Sequence, residues 1–164
     1  MTPAAVQFRS LRGCDTQPVK EFYSHLSPRT RYLRFFSPMP MLPDSVLKLL
    51  ACGDDQQHLT VLAQVNGEHG PEIVALGNVG PSDDGAAEIG LVVRDDFQRQ
   101  GIGTMLAAKM LGVAEARGFR RFVGYVLWEN SAVVRKLLTH VADIVSARTH
   151  QGVSEMYFIP RRSS

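Results

Sequence analysis

Residues Glu88–Gly118 read EIGLVVRDDFQRQGIGTMLAAKMLGVAEARG, and this stretch decides how the chain folds. Ile89 to Val93 is a short β run with Gly90 inside it, and polar Arg94, Asp95 and Asp96 then turn the chain. After Gln98-Arg99-Gln100-Gly101-Ile102-Gly103-Thr104 a helix begins. Ile102, Met105, Leu106, Met110, Val113, Ala114 and Arg117 fall at three- and four-residue steps, which predicts one apolar stripe up to the arginine stem. Gly118 stands where a helix ends on a glycine, with Arg117 in the last turn.

A strand, a glycine turn and a helix N-terminus make an anion site. The first helical N–H groups have no partner within the helix, and the macrodipole puts roughly half a positive charge there. Gly101 and Gly103 lack a Cβ, so a phosphate is expected to approach the backbone at both. No Gly-Lys-Ser/Thr follows, which excludes a Walker loop, and the third glycine of the dinucleotide fingerprint is missing.

Composition narrows the rest. A chain of 164 residues suits one domain, 1–164, with a real core, and 45% apolar residues is ordinary for a soluble globule. Eighteen basic against sixteen acidic residues give a net charge of +2, too balanced to point to nucleic acid, although Arg161 and Arg162 could form a basic tail. Cys14 and Cys52 are far apart in sequence and neither belongs to a C-x-x-C. Two such thiols predict a reducing compartment, with no disulfide framework and no zinc site. The histidines include no H-E-x-x-H, so no metal is expected. MTPAAVQFRS has no apolar leader and no run approaches membrane length, so the expected location, by elimination, is the cytoplasm.

Taken in order, Val6–Leu11 reads as a strand, and Asp15 or Thr16 could cap a helix over Val19–Leu26. Ser27-Pro28 breaks it, and RTRYLRFF, Arg29–Phe36, forms a second helical piece. In that piece Arg31 and Arg34 should share a face while Tyr32, Phe35 and Phe36 turn to the core. Prolines 38, 40 and 43 forbid helix there, and Asp44 or Ser45 caps a piece over Val46–Leu50. His58–Val65, Glu72–Val79 and Glu88–Val93 are strands joined at Asn66-Gly67 and Pro81–Gly85, which predicts an antiparallel meander. Arg121–Trp128 is a strand that must run parallel to Glu88–Val93, because a helix crosses between them. Asn130 or Ser131 caps a helix to Leu138, and Val141–Ala147 with Val153–Ile159 close a hairpin around His150-Gln151-Gly152. Asp54-Asp55, Asp83-Asp84 and Asp95-Asp96 read as loop and turn pairs.

Gln98-x-x-Gly101-x-Gly103, with a strand before it, a long helix after it and Glu129-Asn130 beyond, resembles the acyl-CoA loop of the GNAT superfamily of N-acetyltransferases. The order β-α-α-β-β-β-α-β-α-β-β is similar to that of the family over nearly the whole chain. The resemblance implies an α/β fold: a mixed, mostly antiparallel twisted sheet of about six to seven strands, helices on both faces, and a splayed parallel pair at the acyl-CoA site. SPRTRYLRFFSPMP and AAEIGLVVRDDFQRQGIGTML are further similar to the protein lysine acetyltransferase (Pat) group, which acetylates an active-site lysine of bacterial acyl-CoA synthetases and related proteins.

What the resemblance implies for chemistry is specific. Acetyl-CoA is the co-substrate, and the loop Gln98, Arg99, Gln100, Gly101, Ile102, Gly103 and Thr104 holds its pyrophosphate. Leu91, Val92 and Val93 offer main-chain groups to the pantetheine, and an N–H of Val92 or Val93 faces the thioester carbonyl. Gly90 marks a bulge or a packing gap. Glu88 is the candidate general base for the acceptor amine, with Glu129 in reserve; the bland alternative is a solvated edge glutamate. Asn130 resembles the family asparagine that touches pantetheine, and it can also cap the next helix. Many GNAT enzymes carry a tyrosine in that helix as general acid. SAVVRKLLTHVAD has none, His140 lies too far along, and Tyr125 and Tyr157 are on strands, so no general acid is assigned. The acceptor is a protein lysine, such as that of an acyl-CoA synthetase, or a small amine; a non-catalytic acyl-CoA-binding module is the other alternative.

Overall fold

Strands β2, Leu59–Gly67, and β3, Gly70–Pro81, form the centre of the structure, a computed structural model that describes residues 5–53 and 57–161. β2 is buried on both faces through Val65, as its continuous apolar run requires. It pairs antiparallel with β1, Gln7–Ser10, and with β3, which pairs antiparallel with β4, Ala87–Val93. β5, Phe122–Leu127, lies parallel to β4, as a helical crossover dictates. The hairpin β6, Ala142–His150, and β7, Val153–Pro160, completes a seven-stranded sheet in the order β1-β2-β3-β4-β5-β7-β6.

Each face of the sheet has its own core. On one side α4, Ile102–Ala116, and α5, Ser131–Leu138, bring Ile102, Leu106, Met110 and Leu138 against Val61, Ala63, Ala75, Ala87, Phe122 and Phe158. On the other, α1, Thr16–Ser24, and α3, Asp44–Cys52, bring Val19, Phe22, Leu47 and Leu50 against Leu62, Leu76 and Val92. The short α2, Pro28–Phe35, lies against β4 and β5 on this second side. Its N-cap is Ser27, whose Oγ accepts from the Thr30 N–H at 3.1 Å, and Pro28 sits in its first turn.

Several expectations need correction. All three helical pieces read before β2 form, one more than the family-like order β-α-α-β counts. The β2–β3 hairpin turns at Glu68-His69, with Asn66 and Gly67 still in the ladder opposite Pro71 and Gly70. The buried stripe of α4 runs through Ala107 and Leu111, leaving Met105 and Val113 exposed at its edges. Tyr32 and Phe36 are exposed, and Arg31 and Arg34 turn inward while Arg29 stays exposed. Arg31 donates to the carbonyls of Pro40 and Tyr23 at 2.9 and 3.0 Å, bonds that the proline-broken segment after α2 leaves open to it. Asp15 does not cap α1. Its carboxylate accepts from Arg9 at 3.1 Å and from the Arg12 N–H at 2.9 Å. Cys14 and Cys52 are joined in a disulfide, against the expectation of separate thiols. Packing of α1 on α3, with the Asp15 N–H on the Ala51 carbonyl at 3.0 Å, brings their Cα atoms to 4.5 Å across 38 positions of sequence. Asp54-Asp55 and Arg162 lie outside the described residues.

Candidate active site

Gly101 opens α4 with φ +81, a left-handed conformation in which a side chain is strained, and a Cβ there would meet nothing within 4 Å. The first backbone bond of the helix runs from the Met105 N–H to the Gly101 carbonyl at 3.1 Å, so the amides of Ile102, Gly103 and Thr104 precede the ladder. This is open backbone at the positive end of a fifteen-residue helix. Arg99, Gln100 and Gly101 are exposed around it, whereas the Ile102 side chain is 2% exposed and offers only its amide. Gly103 serves packing as well. A Cβ there would lie 3.1 Å from Leu137 Cδ1 and 3.6 Å from Val93 Cγ2, so its bareness serves the packing of α4 on α5 and β4. The Gln98 side chain is also internal: Nε2 donates to the Val93 carbonyl at 2.9 Å.

β4 and β5 are hydrogen-bonded neighbours only at Ala87↔Phe122 and Glu88↔Val123. Among the described residues nothing in β5 pairs with β4 beyond that point, which leaves the edge through Leu91, Val92 and Val93 open toward the cradle. β3 follows β4 in continuous register, with Asn78 opposite Gly90, so Gly90 makes no bulge against it. Its bareness answers to α2: a Cβ at Gly90 would sit 2.7 Å from Arg34 Nη2 and 2.8 Å from Cζ. The Arg34 guanidinium therefore lies on the strand at this position, and Nη2 donates to Asn78 Oδ1 at 2.6 Å. Its Nε is shielded from solvent and has no acceptor among the described residues. Burial lowers the pKa of Arg34, and the charge of Glu88 acts in the opposite direction.

Strand alternation collects the remaining groups. Ile89, Leu91 and Val93 pack toward α4, while Val92 belongs to the α1–α3 side, so Glu88 and Gly90 share that side. Phe122 and Phe158 likewise fix the α4 face of β5 and β7, which sends Tyr125 and Tyr157 to the face of Glu88. Together with Pro81, Ser82, Asp83 and Asp84 they line a pocket of about 280 Å³. Asp84 Oδ1 accepts from Ser82 Oγ at 2.6 Å and from the Ala86 N–H at 3.1 Å, and its Oδ2 accepts from Tyr157 at 2.5 Å. The bond from Ser82, then those from Tyr157 and Ala86, hold its carboxyl far below the carboxylate range. The same bond to Asp84 pushes the Tyr157 phenol up to about 12, and burial followed by the charge of Glu155 raises Tyr125. Neither phenol is primed to give up a proton.

A family model for the acetyltransferase (GNAT) family matches residues 19–137, which include most of α1, all of α2–α4, the cradle and most of α5. The chain belongs to the GNAT family. An acetyltransferase of Pseudomonas aeruginosa is 28% identical over 117 residues, 71% of this chain and 63% of that protein; the chain thus spans less than two thirds of the relative's length. The GNAT domain of S. lividans PAT superposes with a TM-score of 0.83 at 23% identity, covering 94% of this chain and 90% of that one. The yncA protein of Salmonella typhimurium, solved with acetyl-CoA, superposes with a TM-score of 0.66 at 16% identity over 94% of this chain and 92% of its own.

In this GNAT chain Asn130 follows β5 in a 3₁₀ turn, Trp128–Asn130, at the mouth of the β4–β5 gap. Its side chain makes no cap bond to α5, contrary to the capping alternative; Ser131 Oγ instead donates to the Trp128 carbonyl at 2.8 Å. Glu129 is exposed and faces Arg29 at 3.6 Å, away from the pocket lining, which leaves Glu88 as the carboxylate beside the gap. Asp95 was legible only as a turn residue. It accepts from the Ser27 N–H at 2.9 Å, Ser27 Oγ at 2.7 Å and Thr30 Oγ1 at 2.8 Å, tying the head of α2 to the cradle. Burial would raise its carboxyl pKa, and these bonds outweigh that and lower it. Asp83 and Asp84 likewise gave no separate signal of a site, because the turn pattern accounts for them locally; Arg34 stood out only as part of the basic cluster Arg29, Arg31 and Arg34, a segment that could line the acceptor groove or be a solvated helix face.

Proposed function

We propose that this protein transfers an acetyl group from acetyl-CoA to a primary amine, and that the amine is the side chain of a protein lysine. The supporting observation is the pocket beside Glu88: carboxylates of Asp83, Asp84 and Glu88 with the rings of Tyr125 and Tyr157, opening where β4 leaves β5. Carboxylates attract an ammonium group, and tyrosine rings flank its alkyl stem. A volume of about 280 Å³ is at the low end for small-molecule sites, typically ~300–1,000 Å³, and suits an aminoalkyl chain better than a bulky aminoglycoside. The S. lividans PAT likeness and the SPRTRYLRFF segment favour a protein acceptor, with an acyl-CoA synthetase the first to try.

In this reading the amides of Ile102, Gly103 and Thr104, with Arg99 and Gln100 nearby, hold the pyrophosphate. The free edge of β4 at Leu91, Val92 and Val93 takes the pantetheine, and Asn130 faces it from the end of β5. Lysine has an ordinary pKa of about 10.4, so roughly one side chain in two thousand is neutral at pH 7, a cost of about 4–5 kcal/mol. Glu88 takes one proton from the ammonium, and the freed lone pair bonds to the thioester carbon; the second proton passes from the nitrogen of the adduct to water. The carbonyl π electrons move to oxygen, then return as the carbon–sulfur bond breaks. CoA leaves as thiolate, acceptable without an acid because a thiol pKa is near 8.5. An acyl-CoA co-substrate implies a cytoplasmic setting.

Release of free CoA, followed with a purified acyl-CoA synthetase, lysine peptides and polyamines in parallel, tests this. Acetylation of the synthetase, located by mass spectrometry, is the expected result. Turnover confined to polyamines would make the protein a small-amine acetyltransferase, and tight acetyl-CoA binding without turnover on any amine would make it a binding module.

A further inference from the structure

Arg34 is a cation in an unusual place. It rests on Gly90, two residues beyond Glu88 on the same face of β4, and directly past the last β4–β5 pair. Among the described residues its hydrogen-bond acceptor is the neutral Asn78, and no carboxylate lies within ion-pair distance. A shielded guanidinium N–H without an acceptor is costly to keep, and the other partners the cation has are the Phe35 ring at 5.0 Å and the more distant charge of Glu88. The site keeps this arrangement at two further positions, since Gly90 leaves the room and Asn78 holds Nη2. Arg9 and Arg94 are paired with carboxylates, and Arg31, whose Nε also has no acceptor among the described residues, gives its Nη atoms to the carbonyls of Pro40, Tyr23 and Ser24; Arg34 differs from Arg31 in lying on β4, over Gly90.

Charge is thus graded along one face. Asp83, Asp84 and Glu88 stand at the outer end, and a lone guanidinium stands at the inner end. The outer end draws in an ammonium. The inner end repels it as long as it keeps its proton, and favours negative charge. We propose that Arg34 is a further residue of the transfer site, an electrostatic group at the head of the β4–β5 gap that favours the negative oxygen formed when the amine adds to the thioester. This rests on the transfer reading above and deepens it. Proton and electron movements are those already given: one proton goes to Glu88 and the second to water, the charge to the carbonyl oxygen, and CoA thiolate departs. Arg34 exchanges no proton. It lies outside the cradle, so it contributes to rate and not to acetyl-CoA affinity.

The test uses the full chain, acetyl-CoA and the amine that the wild type acetylates best. Loss of one positioned donor to such an oxygen typically costs ~10²–10³-fold in kcat, and Arg34→Met is expected near the lower figure. Calorimetry should show its acetyl-CoA affinity within about threefold of wild type. Arg34→Lys keeps the charge and loses the fork to Asn78, so it should recover about tenfold over Arg34→Met. Gly90→Ala is the second route. Its Cβ meets only the flexible end of Arg34, so the protein should fold while the guanidinium is displaced, and kcat should fall about tenfold. In the Arg34→Met background Gly90→Ala should add nothing. Unchanged kcat in Arg34→Met overturns the proposal. So does an Arg34→Lys enzyme no better than Arg34→Met with acetyl-CoA affinity lost in parallel, which would make Arg34 a packing residue. A wild type that turns over no amine would overturn the transfer reading and this inference with it; a wild type that is active while the variants are unaffected overturns this inference alone.

Discussion

The cradle at the head of α4 and the pocket beside Glu88 share strand β4 but are made differently. The cradle is seven consecutive residues, Gln98 to Thr104, and its working groups are main-chain amides. The pocket gathers side chains from positions 81 to 157, and its polar groups are carboxylates and phenols brought together from the β3–β4 turn and three strands. A backbone site tolerates most side-chain changes and fails when the backbone is re-routed or blocked. A side-chain site fails one functional group at a time. The two should therefore break separately, one in affinity for acetyl-CoA and the other in turnover.

Glu88→Gln is expected to have the largest effect: a fall in kcat of about 10²-fold or more at pH 7, the usual size of a general-base contribution. Acetyl-CoA affinity should stay put. With lysine as the acceptor, as proposed, the loss should shrink as pH rises and still be shrinking at about pH 9, because a lysine deprotonates near 10.4. A variant with normal turnover at pH 7 would return Glu88 to the solvated edge.

Gly101→Asp comes next. It puts a carboxylate at the positive end of α4, where phosphate is expected, and forces a side chain onto φ +81. Acetyl-CoA affinity should fall by tens of fold, about 2 kcal/mol. Gly103→Asp sharpens the contrast, because its Cβ meets Leu137 and Val93 and the first loss should be stability, about 1–3 kcal/mol by denaturant titration. Equal stability of the two variants would make both glycines ligand positions.

Asp95 joins the two regions, so Asp95→Asn should disturb both by a few fold. Its carboxyl is depressed by bonds from Ser27 and Thr30 that outweigh burial, so the stabilisation is present above the unfolded value of about 3.9 and fades as pH falls through the lower folded value. For an exposed acid the amount is under about 1 kcal/mol. The gap in melting temperature between wild type and Asp95→Asn should therefore be steady from pH 5 to 8, about neutral conditions, and narrow below about pH 4. A gap that widens in acid would contradict it. The smallest effect belongs to Tyr157→Phe. A phenol pushed up to about 12 by Asp84 is a poor proton donor, so kcat should change by less than about threefold and acceptor KM somewhat more. A large fall in kcat alone would identify the general acid.

The sheet was legible because alternation and turn chemistry are local. The meander, the parallel β5 and the glycine that ends α4 all follow from neighbours in sequence. The cradle was legible for the same reason. Side chains that matter through partners forty or more positions away were not. Arg34 on Gly90 and Asn78 looks from sequence like one cation among three on a polar helix face. Its inward turn is seen only against Asn78, 44 positions further along the chain, and Gly90 beyond it. Tyr157 and Asp84 meet across 73 positions, and neither strand pattern nor turn pattern carries that distance. Gly103 shows the converse: the motif marked it, and packing gives a further reason for it.

The Cys14–Cys52 bond closes the chain into a ring that holds the whole of α1 and α2 and, up to its last residue, α3. Arg34, Ser27 and Thr30 all ride on that ring. Closing a loop of this length restricts the unfolded chain by about 2–4 kcal/mol, so the three helices should lift from the sheet as one unit while it is intact. In a thiol-reducing environment the ring becomes an open strand. Amide hydrogens of α2 should then exchange faster than those of α4, and a protease should find the segment 36–43 first. The redox state of two cysteines remote from the pocket would thereby set how long the acceptor side of the enzyme stays assembled between turnovers.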